Sequence, residues 1–359
     1  MARSRDPLFD EQKKKHPLIG FFVLLAALVI AVVGALNVIN NSRVDLLRQS
    51  VTVPNLPSSL ENFRILHISD LHGLYFGPHQ EQLKAAISSA RYDIVCVTGD
   101  VTGAGGDAGA FLELIDMLGR DVPIYFIPGD EDPNPIQNSP AMSGSAKADY
   151  IAAAESRGAV YLDAPVKIQR GKATLWLSPE WIYTLDYEGA ERAYQSRLEA
   201  LESEAPSLER SAALSAVQYQ MDQLDRIRQA RRETLETDIH VALTHHPLQE
   251  DALKSLIEYT SEENDSYVRT VSLVLSGHYV AGQWRLPGIG AVKAPSSAGL
   301  GNNGWFPDDQ KIVGLNTFMG VSQYISPGLG VSRAVGLPGI RLFNTPAVTI
   351  LTLTSKLTF

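Results

Sequence analysis

Five times between residues 63 and 278 the same arrangement recurs: a short, β-rich apolar run ends in a loop carrying aspartate or histidine. Phe63 to Ile68 runs into Ser69-Asp70-Leu71-His72, and Ile94 to Val97 into Thr98-Gly99-Asp100. Val122 to Ile127 runs into Pro128-Gly129-Asp130-Glu131-Asp132. Ile239 to Leu243 leads to Thr244-His245-His246-Pro247, and Val271 to Leu275 to Ser276-Gly277-His278. Helical patterns over Gln80 to Ala90 and Ala108 to Leu118 separate the early runs. Buried strands alternating with helices predict an α/β sheet. In such sheets reactive groups gather beyond the carboxyl ends of the strands, where all five polar loops fall.

A second constraint lies upstream. Leu18 to Leu36 carries no charged residue, long enough as a helix to cross roughly 30 Å of hydrocarbon. Lys13, Lys14 and Lys15 precede it, with Arg3 and Arg5 further back. The expectation is a basic cytoplasmic tail over 1–16, a transmembrane helix over 17–38, and the remainder outside the cytoplasm, a single-pass protein of the cell membrane. A cleaved signal peptide is the rival reading, since Val33-Gly34-Ala35 offers small residues for cleavage. Its apolar region would usually be shorter, about 7–15 residues. Residues 39–60, with Pro54 and Pro57, read as a polar linker ahead of a folded domain over 61–355.

Residues 186–238 depart from the strand-and-loop pattern. They are rich in Glu, Arg, Gln, Ala and Leu, with a break at Pro206, and predict a helical insertion. Leu214, Val217, Met221 and Leu224 place one apolar stripe on a charged helix. The stripe suits packing against its own domain, with a protein partner as the alternative. Gly288 to Leu337, rich in Gly, Pro, Ser and Asn, reads as long active-site loops, and Val348 to Thr354 as a closing strand.

The net charge of −9 offers no positive surface to a nucleic-acid backbone. The single cysteine, Cys96, excludes an internal disulfide or a CxxC motif, and its apolar setting reads as core. Asp70, His72, Asp100, Asp130, His245 and His278 together mix imidazole and carboxylate donors, which suits Zn, Mn or Fe rather than Ca or Mg alone. His67, on a strand beside Leu66 and Ile68, reads as a core histidine.

In order, these motifs resemble the calcineurin-like metallophosphoesterase family: Asp-x-His, Gly-Asp, Gly-Asn-His-Asp/Glu, a lone His, then Gly-His-x-His. The membrane helix, Gly282-Gln283 and Ser326 to Gly330 are similar to its bacterial membrane-anchored branch. The resemblance implies a sandwich of two mixed β-sheets flanked by helices. It implies two divalent metals, a first on Asp70 and His72 and a second on Asp130, His245 and His278, with Asp100 between them. His245 takes the family position and His246 a supporting one. It implies hydrolysis of a phosphoester or pyrophosphate by a metal-bound hydroxide, with Asp100 and Glu131 at the catalytic positions. The membrane tether points to a lipid-linked phosphorylated substrate.

Three positions depart from the family. Asp130 replaces an asparagine, Glu131 the catalytic histidine, and Val280 the last histidine. The loss at 280 leaves the first site weak or empty. Glu131, with a reference pKa of about 4.3, would rarely carry a proton to donate at neutral pH. The rival expectation is therefore a catalytically impaired relative that binds metal or a partner.

Overall fold

The structure is a computed structural model that describes residues 17–136, 146–254, 256, 271–297, 300–335 and 340–356. The basic tail over 1–16 lies outside the described residues. Helix α1 spans Pro17–Asn41. It is the one helix among the described residues that is long and apolar enough to cross a membrane. Most of its aliphatic side chains face outward and are exposed, Leu24 and Ile30 among them.

Alternation along the strands builds the core. Strand β2 is Arg64–Ile68, β3 Ile94–Thr98 and β4 Ile124–Ile127, paired side by side in parallel. Ile65, Ile94, Cys96 and Tyr125 point to one face; Leu66, Ile68, Val95, Val97 and Phe126 point to the other. The second face is covered by α2 (Glu81–Ile87), α3 (Gly109–Leu118) and α4 (Asp149–Ser156), through residues such as Leu83, Phe111, Leu114 and Ile151. The first face meets another sheet. There β7 (Ala173–Pro179), β8 (Ile239–Leu243) and β9 (Leu273–Ser276) supply Leu175, Leu177, Val241, Leu243, Leu273 and Leu275. Period-two alternation lets each central strand serve two layers. His67 faces the seam between the sheets, its Nε2 2.8 Å from Thr98 Oγ1, and burial lowers its pKa to about 3. It is a neutral core residue, and Cys96 is buried there too.

Among the described residues, each of the two packed sheets has six strands. Adding β1 (Asp45–Thr52), β5 (Ala159–Tyr161) and β14 (Ala347–Thr354), the first runs β1-β14-β2-β3-β4-β5. With β6 (Val166–Arg170), β12 (Gly314–Phe318) and β13 (Val321–Ile325), the second runs β12-β13-β9-β8-β7-β6. Both mix parallel and antiparallel pairs, as expected of the two-sheet sandwich.

Two segments differ from their sequence reading. The stretch 39–60, expected as a linker, contains β1, which pairs in parallel with β14 from Asp45↔Ala347 to Thr52↔Thr354. An edge strand is half-solvated, so its polar sequence (Asp-Leu-Leu-Arg-Gln-Ser-Val-Thr) imitates a stalk. The presumed loop region after Gly288 contains β12 and β13 as well as β11 (Gly290–Lys293), which forms a hairpin with β10 (Trp284–Leu286). Gly and Pro there mark tight turns between short strands.

The insertion is a helical hairpin of α5 (Tyr187–Ser203) and α6 (Leu208–Glu233), with Pro206 in the connection. The α6 stripe turns inward. Val217, Leu224 and Ile227 are buried, and Ile227 packs with Ile182, Tyr183 and Ala242 on the outer face of the second sheet. Arg226 grips Asp163 with two bonds of 2.7 and 2.8 Å, and Gln223 donates to the Asp163 carbonyl at 2.8 Å. The stripe serves the domain itself.

Candidate metal centre

The five polar loops leave the carboxyl ends of β2, β3, β4, β8 and β9 and converge above the seam between the sheets. Sharp reversals aim their side chains inward. Asp70, His72, Asp100 and His278 all have positive φ, at 53°, 49°, 52° and 73°. Such backbone is uncommon outside glycine and costs energy, so its clustering marks a functional site. Gly99 shows how tight the convergence is: a Cβ there would sit 2.6 Å from His245 Nδ1 and 2.7 Å from the Gly129 Cα.

Two groups of donors result. Asp70, His72 and Asp100 bring ligand atoms within 4.8 Å of one another, and so do Asp130, His245, His246 and His278. Asp100 lies between them. Its Oδ2 is 3.2 Å from His245 Nε2 and 3.7 Å from His72 Nε2, while its Oδ1 accepts from the Glu131 backbone N–H at 2.9 Å. Asp130 Oδ1 gathers three imidazoles, at 2.9 Å (His245), 3.4 Å (His246) and 3.3 Å (His278). All six expected ligands meet here. His246, expected in a supporting role, stands within the second group, its ring 4.0 Å from that of His278.

The surroundings fix these rings. His245 Nδ1 lies 2.8 Å from the Thr98 carbonyl, which turns Nε2 toward Asp100 and Asp130. Asp70 Oδ1 accepts the His278 N–H at 2.9 Å. Asp132, not singled out from sequence, staples two loops together. It accepts from the N–H groups of Gly129 (2.8 Å), Val101 (3.2 Å) and Thr102 (2.8 Å), and from the Thr102 hydroxyl (2.8 Å). Arg341 and Asn344 were equally invisible. Buried Arg341 donates to the carbonyls of Pro327, Gly328 and Gly330, and the Gly330 N–H reaches the Asp70 carbonyl at 2.5 Å. Asn344 holds the Val280 carbonyl at 2.7 Å. The acid directly following the third motif was a signal for Asp132; residues 341 and 344 carry none, because their partners are distant in sequence.

The donor set fits divalent cations. Asp70, Asp100, His72, His245 and His278 are buried, yet both ring nitrogens of His72 and Nε2 of His278 lack a hydrogen-bond partner. Buried polar atoms are seldom left so, and two imidazole faces beside three carboxylates ask for positive charge. The electrostatics of the cluster agree. Burial raises the Asp70 pKa. Burial opposes the charged form of His245, but bonds to Asp100 and Asp130 raise its pKa well above the ordinary value. A proton on His245 thus offsets carboxylate charge that a cation would otherwise balance.

Glu131 is fully engaged. Its carboxylate accepts from Ser332 Oγ (2.7 Å), the Arg333 N–H (3.0 Å), Arg333 Nε (2.8 Å) and the Ala334 N–H (3.3 Å). Its Oε2 lies 3.5 Å from His72 Nδ1. Burial works against its charge, but His72, Ser332 and Arg333 outweigh that and hold its pKa well below the carboxylate range. Val280, buried at φ 50°, occupies the position of the missing imidazole.

Two mixed sheets, with an aspartate between two His/Asp groups above their seam, define a dinuclear-type phosphoesterase site. The family model for calcineurin-like phosphoesterases matches residues 63–281, and the chain belongs to that family of hydrolases. No curated protein matched. Among solved structures, a phosphopantetheinyl hydrolase from Mycobacterium tuberculosis is similar at 13% identity and a TM-score of 0.38, over 84% of this chain and 99% of that one.

Proposed function

We propose that this chain is a membrane-anchored, metal-dependent hydrolase of phosphoester or pyrophosphate bonds, acting outside the cytoplasm on a phosphorylated, lipid-linked substrate. The observation that carries the reading is Asp100, reached by one imidazole from each donor group. Asp70, His72 and Asp100 would hold one cation, and Asp100, Asp130, His245 and His278 a second. Mn, Fe or Zn bound there would polarise a phosphoryl oxygen and lower the pKa of a water. Asp100 fixes the spacing of the two halves, and the Glu131 N–H fixes Asp100.

Glu131 takes a positioning role in this geometry. Ionised and clamped, it holds Arg333 at the rim, where the half-exposed guanidinium would meet an anionic substrate. Anchoring rests on α1, whose apolar side chains are largely exposed among the described residues, and orientation on Lys13, Lys14 and Lys15 before it.

The test uses the full-length protein in detergent: bound Mn, Fe and Zn by elemental analysis, and turnover of a generic phosphodiester with added Mn. Asp100→Ala should abolish turnover and release metal. Equal rates in both proteins would overturn the hydrolase reading. Retained metal without turnover in the wild type would favour an impaired, metal-binding relative, a reading to which the occupied Glu131 lends support. Intact-mass analysis of membrane-extracted protein separates anchor from cleaved signal.

A further inference from the structure

Beside the end of α1 lies an exposed aromatic and aliphatic face on the β10–β11 hairpin and the turn packed against it. We propose that this face is a bilayer-contact surface, seated in the interfacial zone of the same membrane that α1 spans. The inference rests on α1 being a membrane helix.

Trp305 is 42% exposed, Phe306 66%, Ile289 66% and Ile340 49%. The rings of Trp284 and Trp305 lie 6.3 Å apart, as do those of Trp305 and Phe306. Trp284, Trp305 and Phe306 thus adjoin one another, Ile340 is joined to them by the Trp284 N–H at 3.1 Å, and Ile289 stands at the hairpin turn. Aromatic exposure of this kind is uncommon on a surface that meets only water. Tryptophans with an apolar body and one N–H suit the headgroup level, where such rings form belts.

Connection to α1 identifies the occupant. Leu342 pairs with the hairpin: its carbonyl accepts the Arg285 N–H at 2.9 Å, and it bridges Trp284. Its neighbours pair with the end of α1. Asn37 and Asn41 both donate to the Arg341 carbonyl at 2.8 Å, and the Phe343 N–H donates to Asn37 Oδ1 at 3.0 Å. These bonds explain why the helix runs to Asn41 instead of stopping at 38, and they fix the hairpin at the depth where the chain leaves the bilayer. The contact is apolar in character. Arg285 is committed to Asp309 at 2.6 Å and to the Ala281 carbonyl at 2.7 Å, and Lys293 is buried. Salt should therefore weaken it little.

The same segment reaches the site, through Asn344 to Val280 and through Arg341 to the loop holding Asp70. The phosphoesterase loops are thus tied at fixed distance from the lipid surface, which favours phosphate groups presented at the interface over those deep in solution.

The chain has four tryptophans, so emission can be assigned. Full-length protein is reconstituted in phosphatidylcholine vesicles with lipids brominated near the glycerol end of the acyl chain. Tryptophan emission should be quenched at both low and 1 M salt. Trp284→Phe and Trp305→Phe should each remove part of that quenching and the double variant most of it, whereas Trp176→Phe and Trp181→Phe leave it; thermal midpoints verify that each variant is folded. Protein that floats with the vesicles but shows no quenching traceable to Trp284 and Trp305 overturns the proposal and leaves the anchor standing. Unquenched tryptophans with a two-copy mass in detergent assign the face to self-association, which also overturns it. Protein that does not float, with an intact mass lacking the N-terminal helix, defeats the anchor and this inference together.

Discussion

The two donor groups stand side by side under one roof, but they are differently equipped. The second is crowded: Asp130 faces three imidazoles within 3.4 Å. The first has one imidazole, His72, whose ring nitrogens have no hydrogen-bond partner, and Val280 fills the position where the family carries another. Burial runs against the crowded half: the first group is buried throughout, whereas Asp130 and His246 of the second are 45% and 47% exposed, so shielding from water does not favour it. What favours it is donor count. On the proposed reading, a carboxylate in place of an amide at 130 would strengthen the second site, and loss of an imidazole at 280 would weaken the first. On that reading the balance of donors thus lies with the second half, and Asp100 stands between the two.

The largest effect should come from removing a ligand of the crowded half. His278→Ala should eliminate most bound metal and with it the thermal stabilisation that added Mn gives, about 2.7 kcal/mol when free metal is 100 times its dissociation constant. His72→Ala should leave roughly the wild-type metal content. Elemental analysis and thermal shift with titrated Mn report both; equal losses in the two variants would break the comparison. His246→Ala belongs in the same series. A supporting residue should cost about 10–100-fold in metal affinity, and a ligand more.

Next in size is restoration of the depleted half. Val280 is β-branched at φ 50°, a conformation that histidine tolerates better. Val280→His should relieve backbone strain and add a donor, raising metal content toward a second equivalent. Metal content that stays at the wild-type level would show that the position no longer addresses the first site.

How much of this could be read from the chain depends on sequence distance and on solvent exposure. The central strands and their six donor residues were legible because each strand carries its own period-two pattern and each loop its own motif. β1 was not, since a half-wet edge strand looks like a stalk. Asp132 was half legible, as an acid in a tight turn. Arg341 and Asn344 were not legible at all: they act on carbonyls 11 to 64 residues away, across contacts that only folding creates.

Asp132 lets one ask whether the loops or the ligands set the difference between the halves. Asp132→Ala releases four donors on the β3 and β4 loops, which carry Asp100 and Asp130, and hydrogen bonds to a charged group contribute about 1.5–3 kcal/mol. The expected outcome is a loss of about 2–3 kcal/mol in denaturant unfolding. Metal affinity should fall less than in His278→Ala. If metal binding collapses equally, the staple and not the donor count governs the crowded half.

The smallest effect should fall on Glu131, and it bears most directly on chemistry. Glu131→Gln keeps the shape and the capacity to accept from Ser332 and the 333–334 amides but removes the charge facing Arg333 and His72. A leaving-group acid would be lost outright in the glutamine variant, taking the acidic group from the pH–rate profile with it. A clamp would be only loosened. The Arg333 side chain is 48% exposed, so the pair is screened and worth about 0.2–1 kcal/mol, which corresponds to less than about tenfold in rate. The expected outcome is an unchanged pH profile, kcat within that factor, and a larger change in KM as Arg333 loses its hold. Loss of the acidic group from the profile would return Glu131 to the reacting atoms and assign proton transfer to the depleted half.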